Sequence, residues 1–234
     1  QFHQRSQFSF TSIWQSYYYL YLQSESILGS IIFLRHGQAK NNTEGMLVGR
    51  TPGVPLTEKG INQAKTIAKF LKPMNISAVY TSPIERAQKT AEIVAEHNSV
   101  DCKIDERLIE LDMGKFTGLL HDEIFQSHGN VFLKFYEGQI EIAHNGVETF
   151  SEVNKRIQSM VDHVLNEHPN ENIVLVTHMD PIKSMLASVM DLKPQSLFEL
   201  IIANGSLTIF REAGGKLSVK AINAMDPARF DQEW

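Results

Sequence analysis

The sequence predicts an α/β fold: a three-layer sandwich with a mostly parallel sheet, an antiparallel edge and helices on both faces. Apolar runs of strand length alternate with helical patterns along most of the chain, as is typical of parallel sheets. Two apolar runs flank Gly214-Gly215 near the end of the chain, and they predict a β-hairpin at the sheet edge. The chain has 234 residues and 42% hydrophobic composition, so we expect one domain over residues 30–234.

The first predicted strand is the apolar run Ile31–Phe33. Residues 58–71 then carry apolar side chains on one helical face, with Thr57 in a position to cap the first turn and Pro73 beyond the end. This pattern predicts a helix that packs on the sheet.

A second strand and helix follow in the same order. The run Ala78–Tyr80 predicts a buried strand. Ser82 is the expected N-cap of the next helix, Pro83 its first residue and Glu85 the capping-box partner. The apolar spacing predicts that this helix continues to about His97.

The second half of the chain repeats this alternation. The capping-box pattern Thr149–Glu152 predicts the start of a long helix whose apolar stripe continues to Leu165. Residues 172–176 predict a strand, after which Asp180 and Pro181 are the expected N-cap and first residue of another helix.

Residues 119–145 lack a clear periodic pattern and are rich in aromatic residues and histidine. One interpretation is an amphipathic helix that packs on the sheet, and the other is a lid that shapes a binding site. The two interpretations are compatible with each other.

Four polar side chains follow the predicted strands closely. Arg35 and His36 come after the first strand, His178 follows the run 172–176, and Arg86 lies in the first turn after the second strand. Parallel sheets bind ligands at the carboxyl ends of their strands. A nucleophilic imidazole could therefore meet a phosphate held by guanidinium groups at this edge.

Six ordered segments extend this pattern along the chain. They are Leu34-Arg35-His36-Gly37-Gln38 with Asn42, Pro55–Gly60 with Gln63-Ala64, Thr81-Ser82-Pro83 with Arg86-Ala87 and Thr90, Glu110–Gly114 with Thr117-Gly118, Gly146–Thr149 with Arg156, and Thr177-His178. Over about residues 31–210 the chain resembles the histidine phosphatase superfamily, also called the phosphoglycerate-mutase-like family. The segment 180–183 makes it most similar to small phosphatases described as probable phosphomutases.

This resemblance implies a phosphate site and a covalent mechanism. His36 is the expected nucleophile, which would form a phosphohistidine. Arg35 and Arg86 would clamp the phosphate oxygens, because guanidinium groups stay charged and match that geometry. His178 and Asn42 would complete the phosphate cage.

Glu110 matches the general acid of the family. It would protonate the leaving group and then activate water for hydrolysis of the phosphohistidine. Asp112, two residues further on, is the alternative acid, and spacing alone does not separate the two.

Three positions depart from the family pattern. Gln38 replaces a common glutamate, Ala39 replaces a small hydroxyl residue, and Met179 replaces a common glycine. Ala39 removes a potential hydrogen bond to phosphate, and we expect Met179 to contact the substrate and narrow the pocket rim.

The resemblance leaves three functions open. The first is a phosphomonoesterase that acts on a small phosphorylated metabolite. The second is a phosphoglycerate-type phosphomutase, which would need a site for a second anion, although the 119–145 segment offers chiefly Lys134 as a cation. The third is a catalytically inactive protein that binds a phosphorylated ligand.

Composition limits the partners. The net charge of −5 gives no electrostatic reason to expect nucleic acid or an anionic membrane. We find no metal-ligand motif and expect no metal or cofactor. The single cysteine, Cys102, fits a reducing cytoplasm, and we expect it to be a buried small residue in a strand. A homo-oligomer remains open.

Residues 1–29 differ from the rest of the chain. Gln, Ser and aromatic residues dominate without periodicity, and no methionine precedes Met46. We expect a disordered or non-native leader here, with a short amphipathic interaction segment as the alternative.

Overall fold

The computed structural model describes residues 29–225, so the predicted leader lies outside the described residues except for Gly29. Six strands form one sheet in the order β3-β2-β4-β1-β5-β6. Their bounds are Ser30–Arg35 (β1), Ile76–Thr81 (β2), Cys102–Ile104 (β3), Asn172–Thr177 (β4), Leu207–Ala213 (β5) and Lys216–Ala224 (β6). Strands β1 to β4 pair in parallel, whereas β5 and β6 are antiparallel at one edge. The predicted fold class is confirmed.

Helices connect and cover the strands. Their bounds are Lys40–Glu44 (α1), Glu58–Leu71 (α2), Glu85–Asn98 (α3), His121–His128 (α4), Val131–Tyr136 (α5), Ile140–Ala143 (α6), Phe150–Glu167 (α7), Met179–Met190 (α8) and Pro194–Glu199 (α9). No helix within residues 29–225 combines the length and apolar composition needed to cross a membrane.

Alternate residues of the central strands point into two separate cores. Ile32 and Leu34 belong to the core beneath α2 and α3, whereas Ile31 and Phe33 belong to the core beneath α7 and α8. This period of two buries both faces of the sheet. The three-layer arrangement follows from it.

Two helix starts agree with their sequence signals. Helix α2 spans the predicted residues 58–71, and the Thr57 hydroxyl accepts a hydrogen bond from the Gly60 N–H at 3.1 Å. In α7 the Thr149 hydroxyl accepts from the Glu152 N–H at 3.2 Å, which completes the capping box. The Thr57 hydroxyl also donates to the Gln38 side chain at 2.9 Å, which ties the start of α2 to the segment after β1.

The predicted starts of α3 and α8 are wrong by two residues. Helix α3 begins at Glu85, because the Ser82 hydroxyl accepts from the Ile84 N–H and holds a turn ahead of the helix. Helix α8 begins at Met179 with His178 at its N-cap, so Asp180 lies inside the first turn. A proline follows at position 181 without loss, because the first four N–H groups of a helix have no helical partner.

Cys102 was expected to be buried, and this expectation is wrong. The residue is exposed on β3, a short edge strand whose three residues are all exposed. Because β3 pairs with β2 alone, its other edge and both faces are open to solvent.

Candidate active site

The carboxyl ends of β1, β4 and β2 meet at one edge of the sheet. Arg35 on β1 is opposite Thr177 on β4, and Thr81 on β2 is opposite Val176. The residues that follow these strands are therefore neighbours, and the ring centroids of His36 and His178 lie 5.1 Å apart.

His36 is buried and its orientation is fixed by two hydrogen bonds. Its Nδ1 lies 2.7 Å from the Gly37 carbonyl oxygen, and its Nε2 accepts from the Arg86 Nε–H at 3.2 Å. A carbonyl needs a donor and an N–H needs an acceptor, so the proton is on Nδ1 and the lone pair on Nε2. Burial, followed by the charges of Arg86 and Arg35, holds the pKa of His36 well below its usual value. The imidazole is thus neutral, with a nucleophilic nitrogen beside a cation.

Two arginines provide buried donors next to this nitrogen. Arg86 donates to the Gly49 carbonyl at 2.8 Å, while its Nη1 is buried without a partner among the described residues. Arg35 donates to the Ile202 carbonyl and contacts the Met179 sulfur at 3.9 Å, and its Nε is likewise buried and unpaired within residues 29–225. Buried donors without partners are rare in proteins. An anion with several acceptor oxygens would satisfy both.

His178 is fully buried between Ser82, Arg86 and Glu110. Its Nε2 lies 2.8 Å from the Ser82 hydroxyl, and its Nδ1 lies 3.4 Å from Arg86 Nη2 and 3.9 Å from a Glu110 oxygen. Burial, then the charges of Arg86 and His36, lowers its pKa well below the usual value. Sequence reasoning missed Ser82 as a site residue because it treated this serine as a helix cap, although the residue follows β2 as His36 follows β1.

Glu110 borders the cavity with a carboxyl group whose pKa lies well above its usual value. Burial, then the negative charge of Asp180, raises the pKa of Glu110 to about 7. One of its oxygens accepts from the Leu111 N–H at 2.8 Å. Asp112 instead accepts from the Gly114 N–H at 2.9 Å, pairs with Arg50 at 3.4 Å and is 44% exposed. The geometry favours Glu110 over Asp112 as the acid that faces a substrate.

Two arginines hold the Glu110 loop through its backbone. Arg50 donates to the Glu110 carbonyl at 2.8 Å, and Arg156 donates to the Ile109 carbonyl at 2.6 Å. Glu148 joins them, since its carboxylate lies 2.9 Å from Arg50 and 2.8 Å from Arg156. We call Arg50, Glu148 and Arg156 the arginine clamp.

A cavity of about 90 Å³ lies beside His36, Arg86 and Glu110. Arg35, His36, Arg86, Glu110 and Met179, all predicted at the site, line it together with apolar residues. Within residues 29–225 no group of three or more His, Cys, Asp or Glu side chains could hold a metal ion.

The α1 segment contributes two neighbouring asparagines to the cavity. Asn42, the predicted cage residue, is exposed and accepts from the Ala39 N–H at 2.9 Å. Asn41, which was not predicted, has a buried Oδ1 with no hydrogen bond from the described residues.

The 119–145 segment is both packed and close to the site. Ile124, Val131 and Phe135 are buried in the core beneath α7 and α8. His121 and Phe132 line the cavity. The segment therefore packs on the sheet, as the first interpretation states. It also places two side chains at the cavity, as a lid that shapes the site would.

Residues 31–225 match a family model described as "histidine phosphatase superfamily (branch 1)". The chain belongs to the histidine phosphatase superfamily. It is 33% identical over 201 residues to a 2,3-bisphosphoglycerate-dependent phosphoglycerate mutase of Thermoplasma acidophilum, a match that covers 85% of this chain and 95% of that protein.

Other members of the superfamily are similar at comparable levels. Phosphoserine phosphatase 1 of Hydrogenobacter thermophilus is 26% identical over 182 residues, which cover 76% of this chain and 84% of that protein. The structure of Bacillus stearothermophilus YhfR superposes with a TM-score of 0.76 at 31% identity, covering 84% of this chain and 97% of that one. These similarities include phosphatases and a phosphomutase.

Proposed function

We propose that this protein is a phosphomonoesterase that hydrolyses a small phosphate ester through a phosphohistidine. The observation that carries the proposal is the neutral His36, whose Nε2 lone pair lies beside the buried, unpaired donors of Arg86 and Arg35. Phosphoryl transfer depends mainly on positioning and on stabilising charge at the phosphate oxygens. This arrangement supplies both.

In the first step His36 Nε2 forms a bond to phosphorus while the bond between phosphorus and the ester oxygen breaks. Arg35 and Arg86 would hold the non-bridging oxygens, with His178 and Asn42 beside them. Glu110 would donate its proton to the departing alkoxide oxygen, which leaves as an alcohol. Its raised pKa means that this proton is available near neutral pH.

In the second step the Glu110 carboxylate would accept a proton from water as the water oxygen bonds to phosphorus. The bond between phosphorus and Nε2 breaks, inorganic phosphate leaves, and both His36 and Glu110 return to their starting forms. Charge neutralisation by arginine supports a metal-independent reaction, so we expect turnover to survive exhaustive chelation, measured as phosphate release in excess EDTA.

A phosphoglycerate-type mutase is the second candidate, favoured by the 33% identity to the Thermoplasma protein. A phosphoglycerate also carries a carboxylate, which would need its own cation. Among the described residues that line the cavity, the permanent cations are Arg35 and Arg86, and burial lowers the pKa of His121. Because both of these arginines would bind the phosphate, no further permanent cation remains for the carboxylate among the described lining residues, which favours a phosphatase over a mutase. A catalytically inactive binding protein would not need a carboxyl group with a raised pKa at position 110.

The substitution His36→Ala tests the proposal. We expect release of phosphate from p-nitrophenyl phosphate to fall below about one per cent of the wild-type rate, because the nucleophile is lost. The melting temperature of the variant serves as the folding control. Retained turnover would contradict the phosphohistidine, and faster transfer to 3-phosphoglycerate than to water would favour the mutase.

We extend the proposal to the setting of the enzyme. A small phosphorylated metabolite in the cytoplasm, with neither nucleic acid nor membrane as partner, fits the net charge of −5 and the single cysteine.

A further inference from the structure

The inference concerns the leaving group and rests on the proposed function. Arg35 and Arg86, which would take the phosphate, are the permanent cations among the described residues around the cavity. Burial lowers the pKa of His121, which disfavours a positive charge on this imidazole. Asp180 supplies the negative charge, since Glu110 is the proton donor of the proposed reaction. The part of the cavity beyond the phosphate therefore favours positive charge.

Two consecutive hydrogen bonds, from Lys183 to Tyr136 and from Tyr136 to Asp180, hold Asp180 in place, and we call this chain the relay. The Tyr136 hydroxyl donates to Asp180 Oδ1 at 2.5 Å, and Lys183 Nζ donates to the same hydroxyl at 3.2 Å. Asp180 is 4% exposed and Lys183 is 3% exposed. Within residues 29–225 the structure gives Asp180 Oδ2 no hydrogen bond. One oxygen is fixed by the relay, and the other is left for a ligand in the cavity.

Asn41, on α1, adds a second acceptor among the residues that line the cavity. Its Oδ1 is buried and receives no hydrogen bond from the described residues. A buried acceptor without a partner costs free energy unless a ligand or water supplies a donor. Asp180 and Asn41 both line the cavity, and each has an oxygen without a hydrogen bond from the described residues.

We propose that Asp180 binds an ammonium group on the leaving group, with Asn41 as a second acceptor. The substrate class is then a phosphate monoester of a small amino alcohol, whose ammonium offers three donors and a positive charge. Because the cavity measures about 90 Å³, esters of two-carbon alcohols are suitable probes of this contact. A carboxylate on the same alcohol would face Asp180 and would be disfavoured.

A series of two-carbon esters tests this assignment at pH 7. Ethyl phosphate, 2-hydroxyethyl phosphate and 2-aminoethyl phosphate differ in one terminal group and are similar in size. A charge-assisted hydrogen bond in a desolvated site is worth about 10- to 100-fold in affinity. We expect kcat/KM for the amino ester to exceed that for ethyl phosphate by this factor, and phosphoserine to be a poorer substrate than the amino ester.

Two variants assign the preference to its residue. Asp180→Asn should reduce the ratio of amino to ethyl ester to within about threefold of one, and this ratio cancels any loss of turnover that the two esters share. Asp122→Asn, which removes the same charge from an exposed position on α4, should leave the ratio unchanged.

The wild-type ratio tests the inference even if the Asp180 variant does not fold. Equal rates for the amino and ethyl esters, a preference for the hydroxyl ester, or a preference that persists in Asp180→Asn would each overturn it. If no ester is hydrolysed, p-nitrophenyl phosphate included, the proposed function fails instead.

Discussion

At the scale of residues, the surroundings of His36 and Glu110 set the pKa of each side chain. His36 and Glu110 are both buried beside arginines, yet burial favours the neutral form of each. Burial therefore lowers the pKa of the histidine and raises that of the carboxyl group. Divergent pKa values of this kind are what a nucleophile and a general acid require.

The first prediction separates the two candidate acids. Glu110→Gln should reduce hydrolysis of alkyl phosphates far more than hydrolysis of aryl phosphates, because a phenolate departs with little help from a proton. Single-turnover rates for both ester types are the appropriate measurement, since they report formation of the phosphoenzyme. Asp112→Asn, the matched control, should lower both rates alike or leave them unchanged. A selective loss in the Asp112 variant would move the acid to that residue.

The second prediction concerns pH. The acid form of Glu110 is present below its pKa of about 7 and is lost as the pH rises through that value. We therefore expect kcat/KM for an alkyl phosphate to fall above about pH 7, and that for an aryl phosphate to respond much less. In Glu110→Gln this fall in kcat/KM at high pH should disappear. A fall of equal size for both substrates would point to a different titrating group.

Sequence reasoning succeeded for residues whose chemistry follows a strand directly. Arg35, His36 and His178 could be placed together because parallel strands end at one edge. The relay from Tyr136 to Asp180 could not be predicted, since its members are 44 positions apart and meet through packing of the variable segment. Asn41 was missed because its neighbour Asn42 matched the family pattern.

At the scale of elements, several site residues lie at or just before the start of a helix. Ser82 and Asp180 have the side chains of good helix caps, which explains why the start of α3 was predicted two residues too early and that of α8 two residues too late. The structure uses Ser82 to contact His178 and Asp180 to contact Tyr136, so both helices begin elsewhere. Thr57 and Thr149, which contact nothing in the site, do cap their helices as predicted.

The third prediction tests the arginine clamp as a structural element. Glu148→Gln removes the charge that joins Arg50 and Arg156, and Glu148 is only 13% exposed. We expect the free energy of unfolding to fall by about 2 kcal/mol, because hydrogen bonds to charged groups contribute roughly that amount. Urea denaturation measures the change.

Its matched control is Glu92→Gln, which removes an exposed ion pair with Lys89. That variant should lie within about 0.5 kcal/mol of the wild type. Equal losses in the two variants would show that the clamp contributes no more than a surface ion pair.

For the whole molecule, the sheet explains why residues from several distant segments form one site. Strand β1 lies between β4 and β5, and α2, α3, α7 and α8 cover the two faces of the sheet. The fold class could be predicted because alternating strands and helices with short connections leave few arrangements open. The bounds of the 119–145 helices could not, because aromatic residues there serve both the core and the cavity.

The last prediction concerns residues 1–28, which precede the described part of the chain. Strand β1 is paired along both edges, by β4 and by β5, and both of its faces lie in the two cores. The sheet therefore offers no open edge or face at β1 for a preceding segment. We expect a chain that begins at Gly29 to keep its melting temperature within about 2 °C of the full chain, and to keep its kcat/KM for p-nitrophenyl phosphate. A stabilising contact of 1 kcal/mol would shift the melting temperature by about 2 to 4 °C in a domain of this size. A larger fall, measured by differential scanning calorimetry at matched concentrations, would show that the tyrosine-rich segment packs on the domain.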